Sequence, residues 1–189
     1  MSSFEKLSIV IPEVETGKGI ESISVEKLDV KISFEKCGFP RNGGEWSGEP
    51  GNSTWKPDPE YTPPEKSRNP EHPYSNPDNL SWGEILQKYG IEGIPFKDGK
   101  PDFSAVVRGT VEIEDFTADR DSNFEQADEK MAEQRGCTAE EVEKWRKEHN
   151  YTWHECNDCK TMQKVPNEVH ANVWHTGGVS EYKTQSQNA

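Results

Sequence analysis

Nine of the thirteen prolines fall between residues 38 and 79, in GFPRNGGEWSGEPGNSTWKPDPEYTPPEKSRNPEHPYSNPDN. A proline has no backbone N–H and pushes the residue before it toward extended geometry. Neither a long helix nor a central strand is expected across this stretch. A bare linker is one reading. An ordered wrap docked on the rest is the other, because Trp46, Trp55, Tyr61 and Tyr74 punctuate the segment and free linkers rarely use aromatics. The chain is therefore expected to divide into a strand-containing region at 1–37, a Pro/Gly-rich wrap or linker at 38–79, and a domain over 80–189.

Outside the wrap, the patterns are local and mixed. LSIVI and SISVEKLDVKISFE, within residues 4–36, alternate as two or three short strands. NLSWGEILQKYG reads as a helix with Ser81 as N-cap, Glu84 three residues on and Gly90 as the stop. In residues 94–113, KDGK is a turn signal and RGTVEIE a short strand. DSNFEQADEKMAEQRG is a helix capped by Ser122 or Asp121, with Phe124, Ala127 and Met131 as its apolar stripe and Gly136 as its end. TAEEVEKWRKEHN is another, with a Thr138–Glu141 capping box and Val142 and Trp145 facing inward. The fold class is α+β.

Apolar residues are scarce, at 30% of the chain, so part of it must run as loops over a small core. The net charge of −13 argues against a general nucleic-acid coat protein but leaves room for a nuclease with a local site. Residues 151–189 hold four acidic and three basic side chains, so they repel an anion least. No apolar run is long enough to span a bilayer, and the N-terminus does not read as a signal peptide. Production in the cytoplasm and export by another route is the corresponding expectation.

Three of the five histidines lie in YTWHECNDCKTMQKVPNEVHANVWHTGG, residues 151–178. TWHECNDCKTMQKV alternates like a hairpin with Asn157-Asp158 at its tip, and Pro166 suits the first turn of a following helix. That register sets His154 opposite Thr161 and Cys156 opposite Cys159, with all four on one face and Glu155 on the other. A helix laid on this face brings His154, His170 and His175 together. Imidazoles suit zinc, nickel and similar ions, and with added water also magnesium. Satisfied polar residues at a loop end are the blander reading. His72 and His149 fit ordinary places, a surface loop and a helix C-terminus. The pair Cys156 and Cys159 reads first as two small hydrophobes, then as half a zinc site, or as a cross-strand disulfide.

The stretch WHEC…KTMQKVPNEVH…HTGG resembles the HNH, or ββα-metal, nuclease superfamily, in its toxin-associated branch with a Trp-His-His signature. The upstream GIPFKDGKPDFS…GTVEIEDFTADRDSNFEQAD is similar to the lead-in of those domains, and the likeness covers roughly residues 90–185. The resemblance implies an HNH finger packed on helices and metal-dependent hydrolysis of phosphodiester bonds, most often in DNA. It implies one divalent ion (Mg, Mn, Zn or Ni), a cognate immunity protein as partner and delivery to target cells by a specialised secretion system. By position, Trp153 and His154 match the start of the signature, and His170 and His175 match the helix-end metal ligands. Glu155 stands where the second signature histidine would be, and Thr161 where the family has an asparagine. His154 is expected as general base, and also as a candidate ligand, with Glu155 a carboxylate beside the metal or behind its ligands. Arg120, Lys164 and Arg108 are candidate phosphate contacts, Arg120 the strongest. Residues 1–80 hold no candidate ligand, so the chemistry is expected to survive their removal. A non-catalytic, metal-stabilised binding or adaptor module is the alternative, with the changes at Glu155 and Thr161 having removed activity.

Overall fold

Ser81, Thr138, Gly90 and Gly136 set helix ends by local chemistry. In the computed structural model, which describes residues 38–41 and 43–187, α1 (Trp82–Tyr89) starts at a complete Ser81–Glu84 capping box and stops at Gly90 in the left-handed region. Helix α2 (Arg120–Arg135) ends at left-handed Gly136, and α3 (Ala139–Glu148) opens on a Thr138–Glu141 capping box. The cap of α2 differs from the expected Ser122 or Asp121. It is Asp119, whose carboxylate accepts from the Asp121 amide and so lengthens the helix N-terminally. Two more helices follow, the short α4 (Asn167–His170) and α5 (Gly178–Gln187). The strands expected in residues 4–36, and Cys37, lie outside the described residues.

The described residues form a mixed α and β fold with two small antiparallel sheets and five helices. One sheet has the order β1 (Gly44–Trp46), β2 (Thr54–Pro57), β3 (Ile94–Lys97) and β4 (Lys100–Pro101). The KDGK turn joins β3 to β4, with Asp98 and Gly99 both at positive φ, as a two-residue hairpin loop requires. β2 corrects an expectation: it is a central strand inside the proline-rich segment. Its proline is tolerated because β3 pairs only with Thr54 and Trp55, leaving Pro57 beyond that ladder. The second sheet has the order β5 (Thr110–Glu112), β7 (Thr161–Pro166), β6 (Tyr151–Glu155).

The β6–β7 hairpin lies between two apolar clusters. On one side Val165 packs with Trp55, Trp82, Phe103 and Val169. On the other, Trp153 and Met162 pack with Val111, Met131 and Val142 of β5, α2 and α3. Trp55 and Phe39 bring the wrap into the first cluster, so residues 38–79 are docked and not a free tether. Two buried carboxylates, Asp128 and Glu168, anchor the hairpin and the helix that follows it. Arg146 donates to Asp128 at 3.2 and 2.7 Å, and Trp153 Nε1 donates to the same carboxylate at 2.8 Å, tying α3, α2 and β6 together. Glu168 of α4 accepts two bonds of 2.9 Å from Lys88 and one of 2.8 Å from Tyr89, which fixes α4 on α1.

Candidate metal centre and cleft

The hairpin is wider at its tip than a two-residue turn. His154 pairs with Gln163 and Glu155 with Met162, and the Cys156 amide bonds Thr161 O. The register thus slips by two residues from the expected one, which leaves every strand residue on its expected face. Asp158 causes the slip. Its carboxylate accepts from the Lys160 and Thr161 amides and from the Thr161 hydroxyl at 2.6 Å, closing a four-residue loop. Thr161 is therefore a loop-closing residue, and Gln163 stands opposite His154. Cys159 falls in the loop at positive φ and packs on the second cluster; Cys156 and Cys159 are free thiols.

His154 projects from β6 toward α4, His170 ends α4, and the chain beyond it bends back to bring in His175. Pro166 precedes α4 as its N-cap and is the last residue of β7, so the helix is a single turn and starts one residue later than expected. One potential donor nitrogen from each of the three histidines lies within 4.8 Å of the others. His154 Nδ1 and His170 Nε2 are 3.2 Å apart. His175 Nδ1 meets Val173 O at 2.8 Å; a carbonyl only accepts, so Nδ1 carries the hydrogen and Nε2 keeps its lone pair. Phe103 supports all three rings, with centroids 5.0, 5.6 and 5.4 Å from His154, His170 and His175.

Burial holds the triad neutral. It pushes His154 down to about 3, with the His175 charge adding to it. Burial lowers His170 well below the usual value, reinforced by His175 and His154, and it also lowers His175. Neutral imidazoles with free lone pairs are the form that binds a divalent ion. The donor set fits such an ion, with three nitrogens on one side and an open cleft of about 490 Å³ on the other.

Glu155 follows His154 on the strand and points to the opposite side, yet reaches the same cleft. Its Oε1 accepts from Asn123 at 2.8 Å and its Oε2 pairs with Arg120 Nε at 3.1 Å. Burial raises its carboxyl, against the lowering pull of Asn123 and Arg120. Arg120 is 64% exposed and presents the rest of its guanidinium to the cleft. Lys164, expected as a phosphate contact, is 1% exposed and sits beneath Trp145, 4.4 Å from the ring centroid. The reason is that Lys164 alternates onto the same face of β7 as Met162, which packs in the second cluster. Burial, then the charge of Arg135, lowers its ammonium to about 8. Trp153 is buried in the second cluster and borders the cleft beside His154.

Some residues at or behind the cleft were not singled out by the sequence. Phe103, behind the imidazoles, and Asn123, behind Glu155, fall in the two stretches similar to the family's lead-in, but neither residue was a candidate. Lys66, Tyr74 and Trp174 also line the cleft, and the aromatic content of the wrap was the one signal for Tyr74.

Residues 94–177 match the family model described as the DNase/tRNase domain of colicin-like bacteriocins, a nuclease toxin family. The match takes in the three histidines, Glu155, Arg120 and Phe103; Lys66 and Tyr74 lie before it. No curated protein matches the chain. Among the described residues no helix is long and apolar enough to cross a membrane.

Proposed function

We propose that this chain is a metal-dependent HNH-type endonuclease that hydrolyses phosphodiester bonds in DNA and serves as the toxic domain of an interbacterial effector, with a cognate immunity protein in the producing cell. The convergence of His154, His170 and His175 on one point carries this reading. β6, β7 and α4 are its ββα finger, and the bacteriocin-nuclease match over 94–177 supports the substrate class. A divalent ion held there would polarise a phosphate oxygen and stabilise the departing alkoxide.

The protein's own groups divide the remaining work. His154 serves as a ligand in this scheme, because its Nδ1 faces His170 and its ring faces His175. The base role passes to Glu155. Its carboxylate takes the proton from the attacking water as the water oxygen bonds to phosphorus and the phosphorus–oxygen ester bond breaks. Burial favours that role, since it makes the carboxylate more basic than a solvated one. Arg120 Nε holds Glu155 in place, and its other N–H groups face an incoming phosphate. Phe103 excludes water from behind the imidazoles.

The test is incubation of the purified protein with supercoiled plasmid, and separately with RNA, in Mg²⁺, Mn²⁺, Zn²⁺, Ni²⁺ or EDTA. Plasmid nicking that EDTA abolishes is expected. A protein that needs metal to fold but cuts neither polymer under any condition is a binding module, and the nuclease reading then fails.

A further inference from the structure

The cleft before the histidines has one wall that lies outside the bacteriocin-nuclease match. Lys66 and Tyr74 of the wrap line it with Arg120 and Trp174. The loop that carries them, residues 65–76, is organised by one carboxylate. Glu65 accepts from the amides of Ser67, Ser75 and Asn76 and from the Ser75 hydroxyl. Burial pushes its carboxyl up, but bonds from Asn76, Ser67 and Ser75 outweigh it and bring it to about 2.

Three further bonds moor this loop beside the triad. Asn150 Nδ2 donates to Tyr74 O at 2.9 Å, Asn172 Nδ2 to Ser75 O at 2.6 Å, and Lys66 Nζ to Ala171 O at 2.7 Å. Ala171 and Asn172 directly follow His170. The Lys66 ammonium uses one of its three donors on Ala171, which leaves two for a ligand. Tyr74 and Trp174 are 41% and 63% exposed; with Tyr61 they are the large hydrophobics left exposed among the described residues, and both stand at this cleft. Two cations and two uncovered rings suit a polynucleotide strand. The cations track phosphates and the rings take the faces of bases. In a duplex those faces are already stacked, so the rings imply an unpaired strand.

We infer that residues 65–76 of the wrap form part of the substrate cleft, with Lys66 contacting the phosphate backbone and Tyr74, together with Trp174, stacking on unpaired bases of a single-stranded stretch. The inference rests on the nuclease reading above. It also reverses the expectation that residues 1–80 are dispensable for the chemistry.

Fluorescence anisotropy tests it, with the full chain in EDTA, a short labelled DNA strand that does not pair with itself, and the same strand annealed to its complement. Tyr74→Ala is expected to weaken single-strand binding about 5- to 150-fold, the equivalent of roughly 1–3 kcal/mol for one stacked base. Duplex binding should not change, and Tyr74→Phe should retain strand binding. Lys66→Met should lower the slope of log affinity against log salt by about 0.7, the value for one phosphate contact on a single strand; Lys66→Arg should keep it. Calorimetric Zn²⁺ affinity should equal wild type in all four variants, which reports that the moored loop leaves the triad intact. Three results overturn the inference: Tyr74→Ala binds the strand as wild type does, it weakens strand and duplex alike, or Lys66→Met lowers affinity with no change in salt slope. Failure of the nuclease reading looks different. The wild-type protein would then bind neither probe and leave plasmid whole with every metal.

Discussion

Divalent-ion binding to this protein should release fewer than one proton per ion at mildly acidic pH. Three imidazoles at the ordinary pKa of about 6.5 would be roughly 90% protonated at pH 5.5, so an ion displacing those protons would release about 2.7 of them. The triad is different because burial holds each ring's folded-state value below that of the free side chain, His154 at about 3. The sign is that of a buried neutral histidine. Between the folded and unfolded values the unfolded chain binds the more protons, so the metal-free fold loses stability as pH falls from about 6.5. In the folded site His154 and His170 meanwhile stay neutral and ready for metal. The assay is calorimetric titration with Zn²⁺ at pH 5.5 in two buffers of different ionisation enthalpy, from which the proton count per ion follows. Fewer than one proton per ion is expected, with little change in affinity between pH 5.5 and 7. Release of two or more protons, or an affinity that falls steeply over that range, would refute the claim that the rings are desolvated and neutral.

Removing any one of His154, His170 or His175 as alanine should weaken ion binding beyond the roughly 10- to 100-fold that loss of an outer hydrogen-bond partner costs, as read by the same calorimetry. Glu155→Gln should leave ion binding unchanged and slow plasmid cleavage about 10²- to 10⁴-fold. The wild-type rate should rise with pH through a midpoint above the ordinary carboxylate value of 4.5, since burial raises Glu155 and a base acts only when deprotonated. Arg146→Met should cost about 3–5 kcal/mol in urea unfolding, because it strands the buried Asp128 charge. Part of that loss should return in a double variant with Asp128→Leu, whose apolar pair needs no counter-charge but leaves the Trp153 N–H without its acceptor.

What could be read from the sequence was whatever is decided within a few residues. The capping boxes at Ser81 and Thr138, the left-handed stops at Gly90 and Gly136, and the Asp98-Gly99 turn depend on near neighbours, and all are present. The gathering of the three histidines was legible for the same reason, since a hairpin followed by one helical turn spans it. The register was not, because one side chain, Asp158, sets the loop length through three bonds that the Asn-Asp pattern does not announce. Lys164 misled because a lysine reads as a solvent-facing cation, whereas here it shares a face with Met162, which packs in the second cluster. Lys66 and Tyr74 were illegible as cleft residues for a further reason: their moorings reach across 105 and 76 positions of chain, and nothing local encodes such a contact.

Those long reaches have a consequence for the order in which the molecule becomes competent. The triad closes over short loops, His154 to His170 being 16 positions apart. The wrap must close loops of 76, 97 and 105 positions, and Gly38 N reaches Thr176 Oγ1 across 138. Loop closure costs entropy that grows with length, and non-local contacts slow folding. A refolding chain therefore gathers its three clustered histidines before it places the cleft wall that carries Lys66 and Tyr74. In stopped-flow refolding, recovery of Zn²⁺ binding should run ahead of recovery of strand binding, and the interval between them is the lifetime of a metallated chain that cannot yet hold its substrate.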